Sequence, residues 1–340
     1  MILKLFRLTF SAFLFSLLVS ACFFKAQPAM VTPNNEETAI LLDFLEKNGD
    51  FVNGPELPSL IGADNLFQLL DDPDFLIIDL RPKAEYAAGF IPNAVNVAPS
   101  DILDYFENQI EPETFERIVL TCPNGSLSGY VNGVLLFLGY DNVSTLRFGL
   151  SSWSIGIARQ YWLSGISETL EGKLETTPSP QKVSGPLPLI ATGEKNGHDI
   201  LKQRAREIMD VTLKDVEMDL ITVLENPDKF YLVSYWPESM YNQGHMEGSV
   251  HYEPKISLHS QQEITSLPVD KPIVLYCYSG HHTAFVAPFL RLLGYEAYNL
   301  SYGSNGFIHS TMSKDPSPTR SFSEASVRNY PVYYWREKIY

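Results

Sequence analysis

The chain repeats itself at an offset of 155 residues, and no other feature restricts its fold as tightly. Asp79 falls on Ser234, Tyr86 on Tyr241, Gly89 on Gly244, Val95 on Val250, Cys122 on Cys277, Gly125 on Gly280, and Gly139-Tyr140 on Gly294-Tyr295. Positions held in register from an apolar run, through a loop, to a post-helix turn mean that one supersecondary pattern is built twice. In the first copy, apolar β-prone runs at 75–78, 94–97 and 117–121 alternate with helical spacing at 83–88 and 128–138. The second copy repeats this with runs at 230–233 and 273–276. Alternating strands and short helices predict an α/β fold: two tandem domains, each a mostly parallel sheet flanked by helices. A length of 340 residues and an apolar fraction of 45% are enough for two such cores.

In both copies an apolar strand ends at a cysteine, a short loop with one glycine follows, and a helix begins. The second copy reads Ile273-Val274-Leu275-Tyr276-Cys277-Tyr278-Ser279-Gly280-His281-His282-Thr283. A thiol delivered to a helix N-terminus meets converging backbone N–H groups, which stabilise an anion on sulfur. Glycine three residues after the cysteine, Gly125 or Gly280, lets successive amides turn inward as an anion-binding nest.

The pattern Ile78-Asp79-Leu80-Arg81, Glu85-Tyr86, Gly89-Phe90-Ile91-Pro92-Asn93-Ala94-Val95, Val119-Leu120-Thr121-Cys122, Gly139-Tyr140, Gly149 and Trp153 resembles a rhodanese domain. The second copy resembles it through Gly244-His245-Met246-Glu247-Gly248-Ser249-Val250, the Cys277 loop and Leu293-Gly294-Tyr295. That resemblance implies sulfurtransfer. A loop cysteine takes sulfane sulfur from a small donor such as thiosulfate, carries it as a persulfide, and passes it to a thiol or cyanide. It also implies that the second copy of a tandem pair is the catalytic one, with the first as support.

The copies depart from the family pattern in different ways. Family members often carry basic residues just after the loop glycine. Copy one has Ser126-Leu127-Ser128 there, and copy two has His281-His282-Thr283, whose imidazoles can become cationic near neutral or mildly acid pH. Copy two in turn lacks the Asp79/Arg81/Glu85 set, read as a structural ion-pair cluster; Ser234, Trp236 and Met240 replace it. Cys277 is therefore the expected catalytic residue and Cys122 a second candidate. Tyr278, Ser279, Gly280, His281, His282 and Thr283 are expected to bind substrate. His245 and Trp153 are read as structural. No cofactor and no metal site is expected. A cysteine phosphatase of related fold needs arginine six residues after the cysteine to clamp phosphate, and Ser128 and Thr283 stand there instead.

The first 22 residues read as a lipoprotein signal peptide. Lys4 and Arg7 precede an apolar run over 8–19 that is too short to span a bilayer comfortably, and Val19-Ser20-Ala21-Cys22 resembles a lipobox. Lipidation of Cys22 would anchor the protein on the extracytoplasmic side of a bacterial membrane, in the cell envelope. Only Cys122 and Cys277 would then remain as thiols, too few for a disulfide framework. The formal net charge of −15 argues against nucleic acid and against electrostatic binding to anionic lipid. The expected organisation is tether and lead-in over 23–54, first domain 55–164, linker and lead-in helix 165–208, second domain 209–312, and an aromatic tail over 313–340. Pro288 is expected to kink the helix after the second loop. The tail, with Tyr330-Pro331-Val332-Tyr333-Tyr334-Trp335, either docks on a domain or contacts a protein partner. A competing function is a weakly catalytic or non-catalytic docking lipoprotein in a membrane-associated redox assembly.

Overall fold

The computed structural model describes residues 35–54, 59–317 and 319–334. Cys22 with its lipobox, and Trp335 of the tail, lie outside the described residues. No helix among them is long and apolar enough to cross a membrane.

Two five-stranded sheets, parallel in every pairing, carry the two copies. The first contains β1 (Ser59–Ile61), β2 (Phe75–Asp79), β3 (Val95–Asn96), β4 (Arg117–Thr121) and β5 (Val143–Leu146), in the order β1-β5-β4-β2-β3. The second contains β6 (Glu217–Met218), β7 (Tyr231–Ser234), β8 (Val250–His251), β9 (Ile273–Tyr276) and β10 (Ala297–Leu300), ordered β6-β10-β9-β7-β8. The strand preceding each cysteine is central in its sheet. Its residues are buried on both faces, as a parallel sheet covered by helices requires, and Ile118, Val119, Leu120, Ile273 and Leu275 are all fully enclosed. The offset of 155 holds through Gly294-Tyr295 and then drops to 154. Ile118 pairs with Val143, whereas Ile273 pairs with Ala297, so copy two is one residue shorter between helix and last strand.

The helices that follow the cysteine loops, Ser126–Phe137 and His281–Leu292, pack on each other and join the copies. Both are apolar around nearly their whole circumference, the mark of a helix buried between two layers. A Cβ on Gly133 would come within 2.9 Å of Pro288 Cγ, so a glycine on one helix receives the proline ring of the other. The helix runs on without interruption through Pro288. Phe137 lies 5.4 Å from Phe285 and 5.9 Å from Phe289, which completes the seam.

The segments outside the repeat strap this pair together. The helix Asn35–Lys47 buries Leu41, Leu42 and Leu45, and Glu46 accepts the Ser260 amide at 2.6 Å. The linker follows the second domain, pairing Glu175 with His245 and Lys182 with Glu263. The tail returns to the first domain. Tyr330 stacks on Phe67 at 4.0 Å, Trp153 Nε1 donates to Pro331 O, and Phe90 pairs with Tyr333. Of the two readings of the aromatic tail, docking on a domain describes its residues up to Tyr334.

Candidate functional site

The two cysteine loops have one backbone design. Gly125 and Gly280 adopt φ of 96° and 80°, left-handed values that glycine takes without strain, and each opens the following helix. A second glycine holds each loop from the end of the neighbouring strand. A Cβ on Gly149 would fall 2.3 Å from Cys122 O, and one on Gly303 would fall 2.5 Å from Gly280 N and 2.6 Å from Cys277 O. The next residues close the contact: the Leu150 amide donates to Cys122 O, and the Ser304 amide to Cys277 O. Gly149 belongs to the quoted pattern, but Gly303 escapes the sequence comparison because the offset has already shifted to 154.

Cys122 is enclosed. Its Sγ accepts from the amides of Gly125 at 3.2 Å and Ser128 at 3.4 Å, and lies 3.3 Å from Ser128 Oγ. The nest of amides thus exists, yet the thiol has no exposed surface. Burial pushes its pKa up, against the lowering effect of those donors. Trp162, whose Nε1 donates to Asn124 O, helps to cover the loop.

Cys277 is also largely buried, at 4% exposure, but it borders open space. It stands on a cavity of about 460 Å³ that Tyr278, Ser279, His281 and His282 also line. Thr283 Oγ1, six residues on, lies 3.5 Å from Cys277 Sγ and 2.6 Å from Asn299 Oδ1. One hydroxyl proton serves one acceptor at a time, so Thr283 can donate to Asn299 and still accept from a Cys277 thiol. Thr283 is fully buried and supports the sulfur from behind; Gly280 likewise shapes the loop.

The expectation that His281 and His282 supply cationic charge is corrected by their surroundings. His281 Nε2 accepts the Phe148 amide of the first domain at 2.8 Å, and its Nδ1 lies 2.9 Å from Ser279 Oγ. Its ring sits edge-on to Phe148 at 5.0 Å and parallel to Trp162 at 6.2 Å. Burial there, with Arg147 nearby, holds its pKa down to about 3. His281 is a neutral bracket between the domains. His282 stands edge-on to Tyr235, and burial beside Lys255 lowers its pKa to about 3 as well. Its Nε2 is buried without a protein hydrogen-bond partner.

Positive charge enters this cavity from residues far from the loop in sequence. Lys255 and Arg320 line it, and the Arg320 guanidinium lies 4.1 Å from the centre of the Tyr278 ring. Neither lies just after the loop glycine, where the family pattern places its basic residues, and no local sequence signal marks them. Tyr278 is expected in the site from the sequence, and the cation on its ring is visible only in the folded chain.

Elsewhere, the Asp79–Arg81 pair and His245 are structural as read, but Glu85 stands outside the ion pair. Arg81 Nε and NH2 clasp the Asp79 carboxylate at 2.7–3.1 Å and NH2 also reaches Gly89 O, all in the interior; Glu85 lies instead beside Tyr161. His245 stacks on Tyr241 at 3.6 Å and its Nδ1 lies 2.8 Å from Tyr241 O.

The family model described as the rhodanese-like domain matches residues 62–155 and again 219–310, together more than half of the chain. The chain belongs to the rhodanese-like family. Among curated proteins, the tRNA uridine(34) hydroxylase of Yersinia enterocolitica is 30% identical over 105 residues, covering 28% of this chain and 30% of that protein. The one from Yersinia pestis is 30% identical over 96 residues, or 27% of each. The match thus spans less than a third of the length of these relatives. Among solved structures, a 3-mercaptopyruvate sulfotransferase of Escherichia coli aligns at 19% identity over 72% of this chain and 98% of its own, with a TM-score of 0.24. A thiosulfate sulfurtransferase of Pseudomonas aeruginosa aligns at 13% identity over 86% and 75%, with a TM-score of 0.25. This rhodanese-like protein keeps both loop cysteines, and both are free thiols.

Proposed function

We propose that this protein is a sulfurtransferase that carries sulfane sulfur as a persulfide on Cys277. The observation that carries the reading is the contrast between the thiols: Cys277 lines a cavity with Lys255 and Arg320, while Cys122 has no exposed surface. The Cys277 thiolate attacks the outer sulfur of a donor such as thiosulfate. A carbon-bound sulfur–sulfur bond forms at Cys277, the donor's sulfur–sulfur bond breaks, and sulfite leaves with the bonding pair. An acceptor thiolate or cyanide then attacks the terminal sulfur and returns the Cys277 thiolate. Cys122 has its amide donors in a closed setting with no exposed surface, which suits a support for the interface better than a second carrier. Transfer from thiosulfate or a persulfide donor should survive Cys122→Ser and disappear in Cys277→Ser. Loss of transfer in the first variant alone would reverse the assignment.

The place of action follows from the segment ahead of the described residues. Val19-Ser20-Ala21-Cys22 after a short apolar run supports lipidation at Cys22 and tethering in the cell envelope. Globomycin, which blocks lipoprotein signal cleavage, should then cause the unprocessed chain to accumulate; unchanged processing would remove the tether from the account. The docking reading draws on the double domain as a surface, and it takes over if Cys277 gains no sulfur from any of several donors.

A further inference from the structure

The segment that follows the second domain runs beside the Cys277 loop before it returns to the first domain. It lies beyond the stretch, 219–310, that matches the family. Three contacts fix it there. Asn305 Nδ2 donates both to Tyr278 O at 2.9 Å and to Arg320 O at 2.8 Å, tying this segment's backbone to the residue next to Cys277. Phe322, fully buried, sits 5.1 Å from each of the Phe148 and Trp162 rings. The Arg320 guanidinium covers the face of Tyr278 at 4.1 Å and bonds Asp315 Oδ2 through NH1 at 2.6 Å. A side chain stacked and pinned in this way has lost most of its rotamer freedom before any ligand arrives, so binding need not supply that ordering.

We infer that Arg320 is the residue that sets the charge preference of the Cys277 cavity, selecting anionic over neutral reagents at the thiol. This rests on the reading of Cys277 as the working thiol. The charged groups to weigh are Asp315, beside the cavity, and Glu253 and Lys255, which line it. Asp315 engages one of the five N–H donors of the guanidinium, leaving a fork able to meet an oxyanion. Glu253 is turned to the protein, where its Oε2 takes the Glu238 amide at 2.8 Å and lies 3.3 Å from His251 Nε2. Lys255 adds a second positive charge, and His282 brings a neutral imidazole whose buried Nε2 has no protein partner. The cation that the loop itself lacks is thus supplied in cis by the strap.

Alkylation of Cys277 tests this without any sulfur transfer. Iodoacetate and iodoacetamide react with the same thiolate and differ in charge, so the ratio of their rates cancels changes in thiolate fraction. In the full chain, with the adduct on Cys277 quantified by peptide mass spectrometry, Arg320→Gln should lower the iodoacetate-to-iodoacetamide ratio about three- to tenfold at low salt. Arg320→Lys should keep much of the ratio, and Asp315→Asn, which removes a competing anion, should raise it. An unchanged ratio in Arg320→Gln, or an equal fall with both reagents, would overturn the inference. If the ratio responds as expected but thiosulfate leaves no sulfur on Cys277, the sulfurtransferase reading fails and the charge selection stands. If sulfur loads at the wild-type rate in Arg320→Gln and the ratio does not move, the reverse holds.

Discussion

Replacing Glu217 by glutamine should stabilise the protein above neutral pH. Glu217 opens the second sheet, and its Oε1 accepts from Asn124 Nδ2 of the Cys122 loop at 2.8 Å, with the Ser126 and Ser301 hydroxyls beside it. Desolvation between the domains raises its pKa from the ordinary 4.5 to about 7, more than those hydrogen bonds can offset. The folded protein therefore binds this proton more tightly than the unfolded chain. The stability it adds is complete below pH 4.5 and is lost as pH rises through 7. A displacement of that size is worth on the order of 3 kcal/mol. Glutamine keeps the acceptor for Asn124 and never ionises. Measured by urea unfolding, the stability of Glu217→Gln relative to wild type should increase by on the order of 3 kcal/mol between pH 4.5 and 8, nearly all of it before pH 8. His281 and His282 act in the other direction. Each has a folded pKa of about 3 against an ordinary 6.5, so their contribution is present above 6.5 and is lost on acidification. In wild type the opposed slopes partly cancel between pH 7.5 and 5, and the variant should expose the uncompensated acid lability. A stability difference between the two proteins that stays constant across this range would refute the reasoning.

Other substitutions report on the loop and the interface. His281→Phe keeps an aromatic ring against Trp162 but leaves the Phe148 amide without its acceptor, and should cost about 1–3 kcal/mol at pH 7.5. That deficit should shrink by about 2 kcal/mol at pH 5, because the unfolded variant no longer takes up the histidine proton. Gly303→Ala places a Cβ within 2.6 Å of two backbone atoms of the Cys277 loop at φ of +55°, and should lower stability by more than about 3 kcal/mol. Gly139→Ala, with open space around its Cβ, should cost only the left-handed backbone, about 1 kcal/mol, with both glycine variants measured by urea unfolding.

The fold was legible because its signals are local. Apolar runs such as Phe75 to Ile78 and Ile273 to Tyr276 need only burial on both sheet faces to become central strands, and the repeat doubles the evidence. The thiols and their glycines were legible for the same reason: Gly125 and Gly280 sit three residues from the sulfur they serve. What was hidden is set by contacts across the chain. His281 looks like a loop cation until its acceptor nitrogen meets the Phe148 amide, 133 residues away. Arg320 looks like one more charge in a polar tail until Asn305 binds its carbonyl and Tyr278 receives its guanidinium. The two loops share their glycines but not their sulfur contacts: Cys122 Sγ takes the Gly125 and Ser128 amides under a cover that includes Trp162, whereas Cys277 Sγ meets Thr283 Oγ1 and stands on a cavity.

The central claim is that Cys277 carries sulfur. Incubating the purified protein with excess thiosulfate, then measuring the intact mass and mapping peptides without reductant, tests it most directly. The account predicts an added mass of about 32 Da, one sulfur atom, on the Cys277 peptide, discharged by cyanide and absent from the Cys122 peptide. An adduct confined to Cys122, or none on either thiol with thiosulfate and with a persulfide donor, would contradict it.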